Sequence, residues 1–230
     1  MKHTIYLFLL FALMLTGCQQ LLLTSALIFK GTDQPPRYDI LLDKKKEIRV
    51  AVVPRAMYSN AYELQNAPQG IARQVNDLLE EKICHNIRPN LRNKKLHLIE
   101  QEKVEAWLDN NNNDFDTFLE VGRDKSIKAD IVIGFDIVSF QIRDPQNPYL
   151  IQGKCQVQVQ AIDCATGKIL ATEDLMIVDP PNMPTPVSGG MTVETFRPRF
   201  VEVIAERIAA LFHHYDPNRL QRMDADTLRY

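Results

Sequence analysis

Hydrophobic and polar positions change period along the chain, and the changes mark its elements. "EIRVAVVP" (47–54) is a short, nearly continuous β-branched run that reads as a strand buried on both faces. In "PQGIARQVNDLLEEKI", Ile71, Val75, Leu78, Leu79 and Ile83 recur at helical spacing with charges opposite, which predicts an amphipathic helix. "KLHLIE" (95–100) reads as a second strand. Val104, Trp107 and Leu108 suggest a short helix, and Phe115, Phe118 and Leu119 begin another. "KADIVIGFDIVSFQIRD" (128–144) is a long strand whose first half is apolar on both sides. In "YLIQGKCQVQVQAIDC", Ile151, Cys155, Val157, Val159 and Ala161 alternate with Gln152, Lys154, Gln156, Gln158 and Gln160, giving one dry and one wet face. "DCATGK" is the turn, with Gly167 suited to its left-handed position. "ILATEDLMIVD" returns, and Phe196, Phe200, Val203, Ile204, Ile208 and Leu211 form the stripe of a last helix.

This order predicts an α+β (mixed α/β) fold. We expect one mixed sheet of about five strands with helices on one face, ending in an antiparallel meander and a closing helix. The expected division is 1–17 signal peptide, 18–46 lipidated cysteine and membrane-proximal tether, 47–214 globular domain, and 215–230 polar tail.

The first residues carry a separate signal. Lys2 and His3 precede an apolar run from Ile5 to Leu15 without an acidic residue. Eleven or so residues are too few to cross about 30 Å of hydrocarbon as a helix. Leu15, Thr16, Gly17 and Cys18 follow, an apolar residue and two small ones before a cysteine. This resembles the lipobox of bacterial lipoproteins. The resemblance implies cleavage before Cys18 and lipid on its sulfur, several acyl chains together making a stable anchor. Gln19 after the cysteine, by the same analogy, points to the periplasmic face of the outer membrane. The run Leu21–Phe29 reads equally as a helix lying in the headgroups or as a segment folded back on the domain.

A strand–helix–strand start, a hairpin turning at "DCATGKIL" and a closing helix also resemble a periplasmic domain shared by several lipoproteins. These are the curli-secretion family, lipoprotein activators of penicillin-binding proteins, and the amino-terminal domain of the Tol translocation protein. The likeness spans roughly 47–214. The long amphipathic hairpins that the curli family needs for a barrel are not evident in this sequence.

Composition narrows the chemistry. With 45% hydrophobic and 24% charged residues and a formal net charge of −2, the chain lacks the basic excess of a nucleic-acid binder. Asp109, Asn111, Asn113 and Glu120 stand at positions 1, 3, 5 and 12 of a calcium loop. Asp114, however, replaces the glycine that makes the sharp turn, so an asparagine-rich helix-to-helix loop is expected instead. His85 and His97 lack partners at zinc spacing, and adjacent His213 and His214 diverge on a helix. No phosphate-binding loop or nucleophile-elbow motif occurs, so no cofactor and no small-molecule substrate is expected. Cys84, Cys155 and Cys164 leave one disulfide open as a possibility. "DPPNMPTPVSGG" (179–190) reads as a spacer or as a partner-binding arm. The expected function is a non-enzymatic, lipid-anchored protein serving envelope assembly or contact with an envelope protein. The alternatives are an enzyme whose site is not visible in sequence and a calcium-stabilised binding module.

Overall fold

The structure, a computed structural model, describes residues 33–43, 45–57, 66–144, 146–147, 149–181, 184–186 and 192–217. The expected signal peptide, the expected lipobox Leu15–Gly17, Cys18, the run 21–29 and residues 218–230 lie outside them. The elements are β1 (Ile48–Ala56), α1 (Ala67–Leu79), β2 (Leu96–Leu98), α2 (Gln101–Asn110), α3 (Phe118–Arg123), β3 (Ile131–Arg143), β4 (Leu150–Asp163), β5 (Ile169–Asp179), β6 (Thr185–Pro186) and α4 (Val193–Ala209). A π-helical turn, Glu80–Cys84, prolongs α1. The expected α+β class and strand count are met, in one mixed sheet ordered β2-β1-β3-β4-β5 with β6 on β4. β1 pairs in parallel with β2 and β3, and β3, β4 and β5 form the antiparallel meander.

Helices cover both faces, which corrects the one-sided expectation. β2 and β3 flank β1 on opposite sides, so two crossovers of the same hand lay their helices on opposite faces. On one face Ile71, Val75 and Leu79 of α1 and Phe196, Phe200 and Ile204 of α4 meet Val50, Val52, Ile133 and Val157. On the other, Val104, Leu108, Phe118 and Val121 meet Ala51, Val53 and Val132. Alternation along β1 therefore feeds two cores, which is why the sequence reads as one apolar run. Two glycines permit the closest approaches. A Cβ at Gly134 would lie 2.2 Å from the Phe118 ring, and one at Gly153 would lie 2.6 Å from the Phe200 ring.

β1 also contains Pro54. Ile48 N–H bonds Lys95 and Val50 C=O accepts from Ile99, so the even-numbered residues of β1 turn their backbone toward β2. β2 stops opposite Val50. The missing N–H of Pro54 thus falls where no neighbouring strand asks for it. Just before it, the Gln101 amide donates to the Val52 carbonyl at 3.2 Å and stands in for the absent strand.

Residues 34–43, expected to belong to the tether, pack on the first core. Leu41 is fully buried, and Asn93, also buried, donates its amide to the carbonyls of Leu41 and Asp43. Gln34 and Tyr215 bridge in antiparallel fashion, and Tyr38 N–H bonds Leu211. Among the described residues, no helix is long and apolar enough to cross a membrane.

Candidate functional site

Among the described residues β5 is an edge strand, and its pairing with β4 runs without a break in register from Ala171 to Asp179. The Tyr38 hydroxyl donates to the Thr172 carbonyl at 2.8 Å, which shows that Thr172 turns its backbone away from β4. Backbone direction alternates along a strand, so Asp174, Met176 and Val178 turn outward as well. Beside them lies a groove of about 620 Å³. Leu175, Ile177 and Val178 of β5 line it together with Pro35 and Arg37 of the amino-terminal stretch, Arg207 of α4, Leu211 and Tyr215 beyond that helix, and Pro181 of the proline-rich segment. Met176 is 67% exposed. A long edge with unpaired backbone is a ready template for another chain.

The lining is mainly apolar. Its charged members among the described residues are Arg37 and Arg207. Arg37 meets Glu173 at 2.9 Å and remains 64% exposed. Tyr38 sits behind this pair. Burial, then its contact with Glu173, raises the phenol above its usual value and keeps it a donor. Helices α2 and α3 cover β1, β3 and the turn end of β4, and leave Ser139, Thr172, Asp174 and Met176 exposed on the uncovered part of the same sheet face. Gln156, Gln158 and Gln160 are half-buried there. Gln152, expected on the wet face, is instead buried and donates to the Pro180 carbonyl. Beyond that contact Thr185 and Pro186 pair with Ile151 and Leu150, so part of the proline-rich segment extends the sheet.

The residues singled out from the sequence fall elsewhere. Asp109, Asn111 and Asn113 end α2, with Asn112 and Asn113 in left-handed conformation (φ 54° and 56°). The Asn111 amide donates to the Trp107 carbonyl, Asn113 N–H bonds Leu108, and the Glu120 carboxylate accepts from Asp116 N–H. These groups close a helix-to-helix turn. His85 and His97, distant in sequence, line one shallow depression at β2 with Glu80, Cys84, Arg92 and Lys94. Among the described residues, no three His, Cys, Asp or Glu side chains converge as metal ligands. Cys84, Cys155 and Cys164 are free thiols. Burial pushes them up to about 11, about 12 and about 11, so they stay protonated at neutral pH.

One charged pair was not anticipated. Arg55, at the end of β1, grips Asp136 of β3 with Nε at 2.5 Å and Nη2 at 3.0 Å. Its Nη1 reaches the Asp116 carbonyl at 3.0 Å, and its guanidinium lies 4.8 Å from the Phe118 ring centroid. With most donors engaged, it fastens the α2–α3 connection to the sheet. The signal was a lone aspartate inside the apolar run "IVIGFDIV", which needs a partner when buried.

No protein-family model matches the chain, and no curated protein matches its sequence. Its fold is similar to that of several solved structures. The lipoprotein GNA1162 from Neisseria meningitidis matches 70% of this chain and 98% of that chain, at 12% identity and TM-score 0.43. PelC from Paraburkholderia phytofirmans, a dodecamer, matches 76% and 93%, at 9% identity and TM-score 0.39. The LpoB carboxy-terminal domain from Salmonella enterica matches 57% and 83%, at 15% identity and TM-score 0.32. With TM-scores below 0.5, these structures bear on neither partner nor activity.

Proposed function

We propose that this chain is a lipid-anchored protein of the bacterial envelope that acts by contact with another envelope protein and not by catalysis. In this reading Cys18 carries the lipid and the periplasmic face of the outer membrane is the site of action. The sequence from Lys2 to Cys18 supports the anchor. The observation that carries the contact role is the β5 edge, on which no further strand pairs among the described residues, beside an apolar groove and close to the proline-rich segment. Such a surface offers a strand edge and apolar side chains that a partner can bury.

Photo-crosslinking in the native envelope tests this reading. A photoreactive residue at Met176 should give adducts with an envelope protein, whereas the same residue at Ile87, which is 97% exposed, should not. Adducts from Ile87 but none from Met176 would remove the β5 edge as the contact surface.

A further inference from the structure

Beyond the contact reading, we propose that the end of the domain where β1 and β2 begin rests on an anionic phospholipid surface, with Ile87 among the headgroups and Lys45, Lys94 and Lys95 on their phosphates. Ile87 is 97% exposed. One exposed isoleucine is ordinary on a protein surface. This one is held out by its loop. The Asn86 amide donates to the Lys82 carbonyl at 2.6 Å, its side-chain oxygen accepts from Arg88 N–H at 2.9 Å, and Leu91 N–H bonds the Arg88 carbonyl. Asn93, fully buried, closes the loop with its N–H on the Ile83 carbonyl and its side-chain amide on the carbonyls of Leu41 and Asp43. The loop is thereby fastened to the stretch that leads into β1.

Lysines stand beside that loop. Stretches 43–49 and 80–97 together carry nine Lys and Arg against four Asp and Glu, in a chain of net charge −2. Lys95 Nζ donates to the Lys45 carbonyl at 3.1 Å, which sets these two residues side by side. Lys45, Lys94 and Lys95 are exposed, and among the described residues no carboxylate pairs with them. Of the four acids, Glu81 meets Lys82, Glu80 lies 3.4 Å from His85, Asp43 accepts from Lys45 N–H, and Glu47 is exposed. The surplus is positive. Next to it a depression of about 330 Å³ is lined by Arg92, Lys94, His85 and His97, with Glu80. An ammonium group meets phosphate oxygens as a point charge. A bilayer presents phosphates in a layer over hydrocarbon, so an aliphatic tip with lysines behind it matches both. A protein partner fits less well, because a stable contact buries about 800 Å² on each side around an apolar centre, and the centre here is one isoleucine.

The test uses the full-length chain reconstituted in vesicles of phosphatidylglycerol and phosphatidylcholine in equal parts. A photoreactive residue at Ile87 should give lipid adducts, read by mass spectrometry. The same residue at Tyr149, 77% exposed beyond the far end of β3, should give few. Adducts from position 87 should fall at least about fivefold in pure phosphatidylcholine, and as far in about 0.5 M salt, which shortens the Debye length to roughly 4 Å. Joint replacement Lys45→Gln, Lys94→Gln and Lys95→Gln should lower them similarly, with the urea unfolding midpoint unchanged. The lipid and salt comparisons use the parent surface and do not depend on that variant folding. Equal lipid adducts from positions 87 and 149, or equal yields in neutral and anionic vesicles, would overturn the proposal. In the native envelope, protein adducts from position 87 in place of lipid would assign this end to an acidic protein and overturn it as well. Lipid adducts at position 87 without protein adducts at Met176 would leave this proposal standing and defeat the contact reading.

Discussion

Single residues decide how tightly the two helical layers close on the sheet. Gly134 lies under the Phe118 ring and Gly153 under the Phe200 ring, each at a distance no Cβ could occupy. Gly134→Ala should cost about 1–3 kcal/mol, because the Phe118 ring must leave its place on the second face. Arg55→Met should be more severe, about 3–5 kcal/mol, since it strands Asp136, which is 5% exposed. Urea unfolding of both variants checks the order, and equal midpoints for Arg55→Met and the parent would refute the role given to that pair. These contacts were hidden in the sequence because 81 positions separate Arg55 from Asp136. Only the need of a buried charge for a partner could have been read from residues alone. The cysteines follow a simpler rule, burial. Cys155 should therefore resist alkylation in the folded chain and react after denaturation.

Elements were more legible than their arrangement. The stripe Phe196, Phe200, Val203, Ile204, Ile208 and Leu211 is buried throughout, as is the dry face of β4. Periodicity reports which side of an element is dry, because burial is selected position by position. It is silent on which face of the sheet a helix takes, since that depends on crossover order. The β4–β5 turn was legible because its chemistry is local. Gly167 has a φ of 72°, and Asp163 accepts from Thr166 N–H at 2.8 Å and from its hydroxyl at 3.0 Å. These bonds, the backbone one foremost, hold the Asp163 carboxyl below its usual range. The folded chain thus favours the ionised form. The associated stability is present above the ordinary carboxylate value of about 4 and is lost as pH falls through the lowered one. Asp163→Ala should cost about 1 kcal/mol at neutral pH, a modest figure because the turn is wet. Unfolding curves of variant and parent should converge in acid. A difference that persists or grows there would contradict the assignment.

At the scale of the molecule, the β5 groove could not be read from the sequence because four separated stretches build it. Residues 35–37, 175–181, 207–211 and 215–217 meet only after the chain has folded back on the end of α4. The amino-terminal stretch is the least expected of these, since its prolines and charges read as a connector. Its packing from Gln34 onward leaves about fifteen residues after Cys18, a covalent reach of at most about 50 Å. In the proposed lipid-anchored form, the domain should therefore meet partners near the leaflet that holds Cys18. Cys18→Ala should abolish fatty-acid labelling, and retained label would sink the anchor. Anchor and edge are tested together by placing a photoreactive residue at Met176 in both the parent and the Cys18→Ala chain. The account predicts an adduct with an envelope protein from the anchored chain and its loss from the unanchored one. Adducts of equal yield from both chains, or from neither, would contradict it.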